Sequence, residues 1–175
     1  FDNDITVTAD ATINTTQSVQ LDGVITGIAA RTITHTGAGT TLTLNGASLG
    51  TYLGAVTNTS GTLRLDGTVG GNVTNAVAAT VQGVGTVGGD LTNNGTLNPG
   101  NSVGTINVAG NYNENAILTA EIDPSNAGFP ANPGSFDVVN VTGTATLGAA
   151  SVINVTPLAQ GFIADGDTFA VIQAG

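Results

Sequence analysis

No cysteine occurs among the 175 residues, so neither a disulfide framework nor a thiolate metal site is available. Basic charge is confined to Arg31 and Arg64, against twelve acidic residues, for a net charge of −10. Nucleic-acid affinity rests on Lys and Arg contacts to phosphate, and anionic membrane surfaces draw on the same charges. Neither partner is expected. The acidity itself reads as solubility through self-repulsion. Histidine occurs once, at His35, and zinc needs several His or Cys ligands. Aromatics are scarce, with two Tyr, five Phe and no Trp. No apolar run approaches the ~18 residues of a membrane-spanning helix. No signal peptide is visible and the first residue is Phe1, so a mature, processed or excised product is expected.

What is abundant is Thr (29), Gly (26) and Asn (18). Thr favours strands, while Gly and Asn accept the backbone angles of tight turns. Leu, Val, Ile and Ala supply the core, which suits a narrow, regular interior. Ile5-Thr6-Val7-Thr8, Thr41-Leu42-Thr43-Leu44, Thr62-Leu63-Arg64-Leu65 and Thr105-Ile106-Asn107-Val108 alternate apolar and polar residues, the period of a half-buried strand. Gly, Asn or Asp follows nearly every such stretch. Thr168 to Ile172 reads as a further strand. Pro124, Pro130 and Pro133 mark a surface loop. No amphipathic helix is evident.

Internal repetition is the strongest signal. Gly67-Thr68-Val69-Gly70-Gly71-Asn72-Val73-Thr74-Asn75 returns, 18 residues on, as Gly85-Thr86-Val87-Gly88-Gly89-Asp90-Leu91-Thr92-Asn93. Leu21-Asp22-Gly23 returns as Leu44-Asn45-Gly46 and as Leu65-Asp66-Gly67. Three short strands with turns consume roughly 18 to 23 residues, one coil of a parallel β-solenoid. Antiparallel sandwiches carry turns at similar intervals but do not require matching triplets at one-coil spacing. The expected fold is therefore all-β, a single elongated solenoid of about eight or nine coils stacked ~4.8 Å apart. Leu44 and Leu65 should point inward at equivalent positions. Asn72, Asp90 and Asn111 either bond along the axis or serve separate turns.

Two segments resemble the passenger domains of autotransporters, the type V secretion proteins that include pertactin. Thr34-His35-Thr36-Gly37-Ala38-Gly39-Thr40, Leu42-Thr43-Leu44-Asn45-Gly46 and Gly61-Thr62-Leu63 are similar to the passenger-associated repeat, with an extra Thr at Thr40-Thr41. Gly95-Thr96-Leu97-Asn98-Pro99-Gly100-Asn101-Ser102-Val103-Gly104-Thr105-Ile106, Gly110-Asn111-Tyr112, Glu121-Ile122, Val139-Asn140-Val141-Thr142-Gly143 and Thr168-Phe169-Ala170-Val171-Ile172 resemble the folding-assisting stretch near the translocating barrel. The resemblance implies a right-handed parallel β-helix, display or release outside a Gram-negative-type bacterium, and an outer membrane barrel supplied by a longer precursor. It divides the chain into passenger-repeat-like coils (1–66), regular Gly/Asn-rich coils (67–123), a Pro-containing loop (124–135) and autochaperone-like coils (136–175).

Catalytic constellations are thin. Ser48, Ser60 and Ser102 could in principle join His35 in a triad, but no nucleophile-elbow string surrounds them. Asp165-Gly166-Asp167 and Asp2-Asn3-Asp4 could offer oxygens to Ca²⁺, which usually wants six or more ligands; turn or strand-end acidity is the simpler reading. Glu121 and Asp123 could pair as in a glycosidase, yet no aromatic platform flanks them. Gly70-Gly71 and Gly88-Gly89 lack the Lys of a phosphate loop. The expectation is a non-enzymatic structural protein with no catalytic, cofactor or metal site and no small-molecule substrate. The alternatives are a filament subunit that self-associates end to end by β-strand addition, and an adhesin gripping through the Ala127–Gly134 loop.

Overall fold

The computed structural model describes residues 1–45, 51–126, 134–158 and 163–175. Among them every regular element is a β-strand, and all pairing between strands is parallel. Successive strands visit three faces in rotation. The first face holds a three-stranded sheet (Ile5–Val7, Ile25–Gly27, Thr51–Tyr52) followed by a five-stranded one (Thr68–Val69, Thr86–Val87, Thr105–Val108, Val138–Val141, Ile172–Ala174). Gly70 N donates to Tyr52 O across the junction between these two, at 3.0 Å. The second face is a seven-stranded sheet: Ala11–Asn14, Thr32–Thr36, Ala55–Asn58, Val73–Asn75, Leu91–Asn93, Tyr112–Glu114 and Ala145–Leu147. The third is also seven-stranded: Val19–Leu21, Thr41–Leu44, Gly61–Leu65, Ala79–Gly83, Thr96–Pro99, Ile117–Ile122 and Val152–Pro157. Four parallel sheets stacked in this order are consistent with a β-solenoid.

Alternation explains the core. Leu42, Leu63, Val81, Leu97 and Leu118 form an inward column on the third face, and Ile33, Val56, Val73, Leu91 and Tyr112 form another on the second. All are at most 2% exposed. Such columns stack similar side chains at a fixed rise, so aliphatics fill most of the interior, with Tyr52 and Tyr112 as the large buried exceptions. Leu21, Leu44 and Leu65 stack as the triplet repeat requires. The 18-residue repeat is likewise literal: Thr68 lies on Thr86, Val69 on Val87, Val73 on Leu91 and Asn75 on Asn93.

One expectation is corrected, at the last strand. Among the described residues the first face carries eight strands and the second and third faces seven each, in keeping with a stack of about eight coils. Coils lengthen toward the C-terminus, where axial bonds span 33 residues against 17 or 18 in the middle. The Pro-containing excursion accounts for one lengthening. Its base is an antiparallel bridge between Ile122 and Phe136. The last strand is Ile172–Ala174, and not Thr168–Ile172. Register decides this: Ile172 must oppose Val139, while Phe169 packs edge-on against Phe136 with centroids 5.6 Å apart.

Candidate functional site

The most organised polar feature is a buried column at the end of the second face. Ile13, His35, Asn58, Asn75, Asn93, Glu114 and Leu147 occupy one register position in seven successive coils. The five polar members are fully buried. Each Asn ties down the corner that leads to the third face. Asn58 Nδ2 donates to Thr80 O at 2.8 Å, and Asn75 Nδ2 to Ala79 O at 3.1 Å and Thr96 O at 3.0 Å. Asn93 Nδ2 donates to Ile117 O at 3.0 Å. The same amides link coil to coil: Asn58 to Asn75 at 3.2 Å, Asn75 to Asn93 at 2.8 Å, and Asn93 to Glu114 at 2.8 and 2.9 Å.

Glu114 closes the column. Its carboxylate also accepts from Ala116 N at 2.8 Å and from the Tyr112 hydroxyl. Burial and the adjoining carboxylate push the Tyr112 hydroxyl far above its ordinary range. His35 opens the column, with Nδ1 2.8 Å from Asn58 Oδ1 and Nε2 3.0 Å from Thr15 Oγ1. Burial lowers the His35 pKa below 6.5, and the bond to Asn58 opposes that shift. A buried amide that loses its partner costs ~1–3 kcal/mol, so a fully bonded column specifies register strongly.

A second ladder runs outside, at the corner between the first and second faces. Asp90 N donates to Asn72 Oδ1 (2.9 Å), Asn111 N to Asp90 Oδ1 (2.7 Å) and Thr144 N to Asn111 Oδ1 (3.0 Å). Of the two roles open to these residues, axial bonding is the one observed.

The remaining candidates are placed apart. His35 meets Thr15 and Asn58, and no Ser or Asp bonds to it among the described residues. Ser60 Oγ accepts from Gly37 N and Ser102 is exposed; Ser48 lies outside the described residues. Asp165-Gly166-Asp167 forms a turn in which Asp167 Oδ2 accepts from Ala164 N at 2.7 Å. Asp4 Oδ1 accepts from Val24 N at 2.9 Å. Asp123 caps Ser125 through its backbone N at 3.0 Å and its hydroxyl at 2.5 Å. Glu121 instead lies beside Asp137, its backbone N donating to Asp137 Oδ2 at 2.8 Å. Gly70-Gly71 and Gly88-Gly89 sit at coil corners, where a Cβ on Gly71 would collide with Gly54 O. Residues 127–133 of the Ala127–Gly134 loop lie outside the described residues.

Asp137 and the inward column escaped the sequence reading. A signal for the column exists: Val56-Thr57-Asn58, Val73-Thr74-Asn75 and Leu91-Thr92-Asn93 share one triplet, and alternation places its Asn on the same side as its aliphatic. No family model matches the chain, and no curated protein is similar to it at a significant level.

Proposed function

We propose that the chain is a non-enzymatic extracellular structural segment, a right-handed parallel β-helix of the kind found in autotransporter passengers. The observation that carries this reading is where the polar chemistry is spent. His35, the Asn column and Glu114 are consumed by bonds that hold coil on coil, and the exterior ladder does the same with Asn72, Asp90 and Asn111. A stack fastened this way inside and out is suited to be a stiff spacer or surface segment, displayed by or released from a Gram-negative-type bacterium. Antibody raised against the purified chain tests it on intact source cells. Labelling without permeabilisation is expected. Labelling only after permeabilisation overturns the reading.

A second reading, end-to-end assembly by strand addition, is favoured by one observation. Among the described residues Val152–Pro157, six residues long, pairs on one side only, and Val152, Ile153 and Val155 stand 38–54% exposed. Open parallel edges of this kind accept a further strand. Sedimentation across a concentration series separates the readings: concentration-dependent growth supports assembly, and a monomer throughout refutes it.

A further inference from the structure

The direction of the buried column is forced by its surroundings. The Nδ2 atoms of Asn58, Asn75 and Asn93 each face backbone carbonyl oxygens: Thr80 O and Gly61 O, Ala79 O and Thr96 O, Gly95 O and Ile117 O. Turning any of these amides over would aim an oxygen at those acceptors. Every Oδ1 therefore points back toward the preceding coil, and Asn93 Oδ1 accepts in addition from Gly95 N of its own coil at 3.2 Å. Asn75 receives Asn58, and Asn93 receives Asn75. Among the described residues Asn58 Oδ1 meets one donor, His35 Nδ1 at 2.8 Å. The proton of neutral His35 accordingly sits on Nδ1, and Nε2 is left as an acceptor.

That acceptor is served by two hydroxyls. Thr15 Oγ1 lies 3.0 Å from Nε2, and Thr40 Oγ1 lies 2.6 Å from Thr15 Oγ1 and 2.7 Å from Gly37 O. Gly37 makes room for the pair, since a Cβ there would strike both hydroxyl oxygens. With His35 neutral, Thr40 donates to Thr15 and Thr15 donates to Nε2. With His35 protonated, both hydroxyls can turn: Nε2–H donates to Thr15, Thr15 to Thr40, and Thr40 to Gly37 O. The net change is one proton from water onto Nε2, with no other covalent bond made or broken.

We propose that Thr40, Thr15 and His35 form an acid-sensitive joint in the second coil, a hydroxyl inlet that lets a buried imidazole take up a proton and so weakens the stack at that end. The weakening comes from charge. The elements packed against His35 contribute Ile13, Thr15, Thr40 and Asn58. Of the ionisable groups on those elements, Asp10 holds Thr32 N at 3.0 Å and Arg31 precedes the strand, and neither bonds to the ring. A cation at this position gains no partner carboxylate, while burial penalises it.

The sign is definite. The folded pKa lies below the 6.5 of a free imidazole. Stability is fully present above pH 6.5 and is lost as pH falls through the folded value. His35 is the sole histidine, so its ring nitrogens are read without assignment by ¹⁵N NMR of the intact chain. The expected result is an Nδ1–H imidazole at neutral pH, a reversible titration below 6.5, and a midpoint that drops further in Thr15→Val, which removes the hydroxyl that receives Nε2–H. An Nε2–H tautomer in the wild type overturns the proposal, as does an unchanged midpoint in Thr15→Val. His35→Asn extends the existing Asn column and removes the titrating group. Protection factors at residues 33–36 and 56–58, which correct amide exchange for its intrinsic pH dependence, are expected to fall on acidification in the wild type and to hold in His35→Asn. An equal fall in both also overturns it.

Discussion

Replacing Asn75 with alanine removes the middle of the buried column. Asn75 is fully buried, accepts from Asn58 Nδ2 and shares its own two amide hydrogens among Ala79 O, Thr96 O and Asn93 Oδ1. Asn58 Nδ2 keeps Thr80 O after the change, and Asn93 Oδ1 keeps Gly95 N at 3.2 Å. The corner carbonyls of Ala79 and Thr96 lose their side-chain donor. At ~0.5–1.5 kcal/mol net for each hydrogen bond lost, two give about 1–3 kcal/mol. That is a large fraction of the ~5–15 kcal/mol that holds a typical domain together. Thr74→Ala, one residue away on the outward side, touches none of these bonds and should stay within ~0.5 kcal/mol of wild type. Urea unfolding followed by far-ultraviolet circular dichroism measures both. An Asn75→Ala midpoint equal to that of Thr74→Ala would refute the claim that the column fastens the coils.

Leu65→Asp places a carboxylate at a position 1% exposed between Leu44 and the following coil; burial without a partner costs several kcal/mol, so soluble folded protein should not be recovered, and an unchanged melting curve would show the register to be wrong. Gly61→Ala forces a Cβ onto a backbone with φ of +78° and into Gly37 O; a loss of more than ~1 kcal/mol is expected in thermal melts. Asp137 is 1% exposed, and burial pushes its carboxyl up to about 7 against the pull of the Glu121 and Gly104 backbone N–H groups. Because the folded pKa is raised, its contribution is fully present below pH 3.8 and is lost as pH rises through about 7. Unfolding free energy measured against pH in His35→Asn, where the opposing imidazole titration is gone, should fall across that window; a rise would contradict the assignment, and Asp137→Asn should flatten the curve.

Much of this architecture was written in alternation and repetition. Leu42, Leu63, Val81 and Leu97 each sit between two polar neighbours along the chain and one coil from the next through space, so both periods report the same inward column. The Gly67–Asn75 and Gly85–Asn93 copies gave the register of two coils outright, because identical residues at one-coil spacing pair in parallel. The C-terminal coils were harder. There the spacing stretches to 33 residues, and the last strand's position depends on which residue meets Val139, a tertiary fact with no local signature. The inward Asn column was missed for a different reason. Asn after an aliphatic-Thr pair reads as a turn residue by propensity, and only the alternation phase shows that Asn58, Asn75 and Asn93 face the core. Glu114 and His35 continue that phase with other side chains, so sequence identity could not reveal a column that is defined by position. Asp137 depends on Gly104, a contact across 33 residues, and nothing in its neighbourhood marks it as buried.

The stacking of coils is tested most directly by distance along one outward column. Thr12, Thr34, Thr57, Thr74, Thr92, Asn113 and Thr146 occupy the same register position in seven successive coils. Spin labels at Thr12 and Thr92, at Thr34 and Thr146, and at Thr12 and Thr146 span four, five and six coil steps. Pulsed electron–electron resonance should return separations near 19, 24 and 29 Å, rising by ~4.8 Å per coil within the spread of the labels. Separations that fail to rise with the number of coils, or a Thr12–Thr146 distance shorter than Thr12–Thr92, would contradict the stack.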